Sequence, residues 1–199
     1  MKKIIDKRNY IILIIIIILL FWIFSNKSRT FVESFDLNNK VLTVIIYEKI
    51  NEKKVINKIR NICDKWNEKK SDYSNSYAVK DLIKYFDKSG IKKYLINEDG
   101  NVSAGKRYSD DKYSVSVMNP KNGDILKIVK LENESMVTVK DDKNLVSVIH
   151  KDNAMALKIG NKLFDLGMDE GKKICAKLKC KAIWYNNGEV FESEKINKV

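Results

Sequence analysis

Few side chains in this sequence are suited to covalent chemistry. It has one histidine, His150, and three cysteines, Cys63, Cys175 and Cys180. A nucleophilic triad needs a base beside an activated hydroxyl or thiol. His150 instead closes the run Val146-Ser147-Val148-Ile149-His150, with no serine or cysteine elbow around it. Cys175 and Cys180 stand five apart with no second pair and no nearby histidine, which argues against zinc. All three cysteines read as small buried residues, with a Cys175–Cys180 bridge as the alternative. Carboxylates are plentiful but scattered, and Asp110-Asp111 and Asp141-Asp142 read as loop solvation. The chain has no phosphate-binding Walker loop, dinucleotide fingerprint or metalloprotease helix. Residue types alone name no reaction.

The elements that would position these side chains are more legible. Residues 25–34 are expected to be a polar tether, followed by a strand at Val41–Tyr47 and a helix from about Lys49 to Lys69. Val55, Ile59, Ile62, Cys63 and Trp66 supply the buried stripe of that helix. A second helix buries Ala78, Val79, Leu82 and Phe86 and ends at Ser89-Gly90. Strands are expected at 91–97, 113–118, 125–131, 136–139 and 145–150, with turns at Glu98–Asn101 and 119–123. Helices at 154–166 and 169–178 precede a terminal hairpin, 180–186 and 189–193, across Asn186-Asn187-Gly188. Strands and helices mix without strict alternation, so the fold class is α+β, in one domain over residues 30–199.

Residues 1–29 read differently. Tyr10–Phe24 is a charge-free apolar run preceded by Lys2, Lys3, Lys7 and Arg8. The expectation is an uncleaved transmembrane anchor, a helix over about residues 9–26. The rival reading is a cleaved signal peptide. The positive flank keeps the N-terminus in the cytoplasm and puts the following domain outside the cell membrane. The formal charge of +12 falls to +7 beyond residue 29, with 32 basic against 25 acidic residues. These alternate in sign, as in Glu48-Lys49-Ile50-Asn51-Glu52-Lys53-Lys54, so no nucleic-acid partner is expected.

With the strands laid out, Asn75–Lys106 resembles the ApbE family, the FAD:protein FMN transferases. Tyr77-Ala78-Val79 is similar to the core of that family's KGYAVD helix start. Asn97, Gly100 and Asn101 match its NAGGN turn, and Val115–Pro120 matches a V-x-I-x-x-P strand end. Val146–Gly167 resembles an S-V-T-V strand and the ADALATALFVLG helix, and the final strand pair follows the family's ending. The resemblance implies magnesium, FAD as the FMN donor, and an exported flavoprotein or redox complex as partner. It places cofactor-binding roles at Gly100, Asn101 and Thr138, the last matching an A-T-S-G threonine.

The departures fall at the chemistry. The KGYAVD lysine, glycine and aspartate are Asn75, Ser76 and Lys80 here, and the turn carries Glu98 and Asp99. The positions that resemble the metal-binding aspartate and threonine hold Leu157 and Asn161. Two segments of the family are missing, one between Asp72 and Asn75 and one between Lys140 and Leu145. No catalytic residue and no metal ligand can therefore be assigned. The reading is a membrane-anchored, shortened relative that has lost transfer and serves as a flavin- or protein-binding accessory module. Its alternatives are a minimal magnesium enzyme using Asp99 or Asp152, and an envelope interaction protein without flavin. Gly100, Asn101 and Thr138 also fit plain structural roles, two in a turn and one in a strand.

Overall fold

The computed structural model describes residues 30–69, 71, 73–107, 111–194 and 196. The expected anchor, residues 1–29, lies outside these. Among the described residues no helix is long and apolar enough to cross a membrane.

The strands are β1 (Phe31–Leu37), β2 (Lys40–Ile46), β3 (Tyr94–Glu98), β4 (Asn101–Ala104), β5 (Tyr113–Met118), β6 (Ile125–Leu131), β7 (Glu134–Lys140), β8 (Leu145–His150), β9 (Lys181–Asn186) and β10 (Glu189–Glu192). Among the described residues the helices are α1 (Glu52–Asn67), α2 (Ser74–Lys88), α3 (Asn153–Leu166) and α4 (Met168–Leu178). Eight strands form one antiparallel sheet in the order β1-β2-β3-β4-β7-β8-β9-β10, and β5-β6 is a separate hairpin. This is the α+β class expected.

Side chains alternate across a strand, so the register sorts the two faces of the sheet. Val44 pairs with Ile96, Ile96 with Ser103, and Ser103 with Ser135, and all four share the face of Val137. On that face α1 and α2 cover β1–β3, burying Ile59, Leu82 and Phe86 completely. On the same face α3 and α4 cover β7–β9 around Val137, Val148, Leu163 and Trp184. The opposite face holds Val102, Met136, Leu145 and Ile149 under the β5-β6 hairpin. Each fully buried aliphatic or aromatic side chain contributes about 1.5–3 kcal/mol.

Two strands differ from expectation. The start of β1 replaces the last part of the expected tether. Phe31, Phe35 and Leu37 are buried by pairing with β2 through an Asn38-Asn39 turn, both residues at positive φ (52° and 63°). Asparagine tolerates that left-handed conformation, which makes a tight hairpin possible without glycine. β4 was concealed because it is only four residues long and follows the β3 turn directly. Cys63, Cys175 and Cys180 are all buried free thiols.

Candidate functional site

Gly100, Asn101 and Thr138 converge at one end of the sheet. The β3-β4 turn sets Asp99 and Gly100 at positive φ (49° and 87°), and the Gly100 N–H donates to Asn97 Oδ1 at 3.0 Å. Glycine suits this backbone because it has no Cβ to clash. β4 begins at Asn101, and its last ladder partner on β7 is Met136. The next β7 amide on that edge has no strand carbonyl opposite it, and Asn101 Oδ1 accepts the Thr138 N–H at 2.9 Å instead. The Thr138 side chain leaves on the opposite face, where its hydroxyl meets Ser147 Oγ at 2.8 Å.

Asn101 also ties the turn to a buried carboxylate. Its Nδ2 donates to Glu98 Oε2 at 3.1 Å, and Asn75 Nδ2 donates to Glu98 Oε1 at 2.8 Å. Asn38 Nδ2 in turn donates to Asn75 Oδ1 at 2.7 Å. Glu98 is only 3% exposed, and Lys40 Nζ lies 3.4 Å from it and 3.4 Å from Asp99 Oδ2. Burial works against the Lys40 charge, but the two carboxylates outweigh it and hold the ammonium above its usual range. A buried carboxylate surrounded by two amides and a lysine is a satisfied structural group. Sequence reading noted Asn75 as a departure but gave no sign of this role, nor of Asn38, because the chain brings them together from distant segments.

Beside this end, α2 and α3 meet along a polar seam. Lys80 pairs with Asp152, whose other oxygen caps α3 by accepting the Met155 N–H at 3.1 Å. Burial raises the Asp152 carboxyl, but the Lys80 hydrogen bond and the Met155 N–H outweigh it and hold the group below the usual carboxylate range. Lys158 lies 5.7 Å from the ring centres of both Tyr73 and Tyr77. Tyr77 stacks on Trp66 at 5.4 Å, and Trp66 Nε1 donates to Asp81 at 3.0 Å. The result is a half-buried aromatic surface with ammonium groups on it. The four-residue spacing of Tyr73 and Tyr77 was its readable sign.

A magnesium ion needs hard oxygen ligands. Leu157 packs against the α3–α4 core instead. Asp152, Glu98 and Asp99 are each paired with a lysine. Among the described residues no three His, Cys, Asp or Glu side chains are grouped to hold a metal. Among the described residues the donor set does not fit magnesium. β7 and β8 are joined by the tight Asp141–Asn144 turn.

This geometry defines an ApbE-like α+β fold. The flavin transferase ApbE from Vibrio cholerae superposes with a TM-score of 0.71 at 8% identity, covering 83% of this chain and 96% of that one. The apo flavinyl transferase ApbE of Pseudomonas stutzeri gives 0.69 at 12% identity, covering 83% and 96%. The ApbE protein of Thermotoga maritima gives 0.67 at 10%, covering 83% and 97%. No curated protein matches the sequence. The ApbE family model matches residues 72–145 of this chain.

Proposed function

We propose that this chain is a flavin-nucleotide-binding accessory module of the ApbE fold that has lost metal-dependent FMN transfer. Residues 1–29 anchor it in the cell membrane, the domain from residue 30 lies outside, and it works beside an exported flavoprotein or redox complex. The observation that carries this reading is that Leu157, which the resemblance sets at the metal-binding aspartate, is a core contact, while Glu98 and Asp99 share Lys40 and Asp152 pairs with Lys80.

Support for a flavin nucleotide comes from the fold and from the α2–α3 seam. Tyr73 and Tyr77 offer ring faces, and Lys158 offers a cation beside them for a phosphate. Gly100, Asn101 and Thr138 are assigned to shaping the adjoining sheet end, where the ligand backbone would lie. Titrating the full chain with FAD, followed by flavin fluorescence, tests the reading. Saturable binding that is unchanged between magnesium and EDTA is expected, and binding that requires magnesium would overturn it.

A further inference from the structure

At the far end of α4 the helix closes with Lys179 in the left-handed conformation (φ 53°, ψ 43°). Both Lys179 N–H and Cys180 N–H return to the Cys175 carbonyl, the latter at 3.1 Å. This is a Schellman closure, which commonly brings together the side chains five apart in sequence. Here those two side chains are thiols. Both are buried, and a cavity of about 340 Å3 is lined by the pair. Its lining includes Lys172, Lys179, Lys181, Ser193 and Glu194, with Lys181 3.9 Å from Glu194.

From the helix closure and the lysine-rimmed cavity that both cysteines line, we infer that Cys175 and Cys180 form a redox-active dithiol that exchanges with small disulfides. The roles are unequal. The neighbouring Cys175 thiol holds Cys180 below the usual thiol range, while Cys180 and burial push Cys175 up. The Cys180 thiolate attacks a low-molecular-weight disulfide, forming a mixed disulfide and releasing one thiolate. That thiolate takes the Cys175 proton. The resulting Cys175 thiolate attacks the Cys180 sulfur and expels the second thiolate. The net change oxidises the protein dithiol to a disulfide and reduces one small disulfide to two thiols.

Cys63 is the internal control. Burial, with the Asp64 and Asp36 charges, pushes its thiol up to about 11, and it has no cysteine partner. The full chain is incubated with oxidised glutathione, quenched with an alkylating reagent and mapped by peptide mass. Residues 175 and 180 are expected to close into a reducible disulfide at least about tenfold faster than Cys63 reacts. Cys175→Ser is expected to stop at a stable glutathione adduct on Cys180, and Cys180→Ser to leave Cys175 unmodified. Retention of both free thiols would overturn the inference. So would equal reaction at Cys63, or an adduct that forms first on Cys175.

Discussion

The Asn101 side-chain oxygen accepts the Thr138 backbone N–H at 2.9 Å, so a turn residue finishes the β4-β7 ladder where β4 runs out. The same amide donates to the buried Glu98 carboxylate. Asn101→Ala therefore strips one backbone donor and one buried anion of a partner. A loss of about 1–3 kcal/mol in urea unfolding is expected. A loss near zero would mean that water replaces Asn101 and that the sheet end is open.

Lys80 and Asp152 link α2 to α3 at the start of the latter. A carboxyl depressed in the folded state stabilises the protein above its unfolded pKa, and that contribution fades as pH falls through the folded value. In Lys80→Met the folded value rises toward the ordinary one, so acid unfolding should begin at higher pH than in the parent. Asp152→Ala removes the cap as well and should cost about 1 kcal/mol at neutral pH. Acid titration followed by circular dichroism reads both variants. An unchanged midpoint in Lys80→Met would show that the pair is solvent-screened.

Where the sequence was legible, a period or a turn residue made it so. Apolar and β-branched runs at Tyr113–Met118, Ile125–Leu131 and Leu145–His150 placed three strands at their observed bounds. The helices were found by their apolar stripes, with ends within three residues. β1 was hidden because Glu33, Ser34 and Asp36 make it look like a tether, and its turn uses two asparagines rather than glycine. At the site, the grouping of Gly100, Asn101 and Thr138 came from a family resemblance. Glu98 stands in an expected turn, but Asn75 reaches it from a distant segment, itself held by Asn38.

Two glycines with different reasons should respond differently to alanine. A Cβ on Gly105 would lie 2.3 Å from the Lys92 carbonyl and 2.7 Å from the Tyr94 ring, so the backbone itself must move. A cost of about 3 kcal/mol is expected, at the upper end for overpacking. A Cβ on Gly100 meets nothing within 4 Å, leaving only the strain of its positive φ, about 1–2 kcal/mol. Thermal unfolding of Gly105→Ala and Gly100→Ala should rank them in that order.

A single acidic side chain at position 157 should not create a metal site. Leu157→Asp puts a charge where the side chain packs against the α3–α4 core, and a loss of about 1–3 kcal/mol is expected. Millimolar magnesium should recover none of it in a melting experiment. Recovery would reveal further oxygen ligands already aimed at position 157.

The central claim is that this ApbE-fold chain does not carry out metal-dependent transfer. The direct measurement incubates the full chain with FAD, magnesium and a flavoprotein acceptor that presents a threonine, then assays covalently attached FMN by in-gel fluorescence and peptide mass. No attachment above a protein-free control is predicted, with or without magnesium. FMN bound to the acceptor threonine in an EDTA-sensitive reaction would contradict the account.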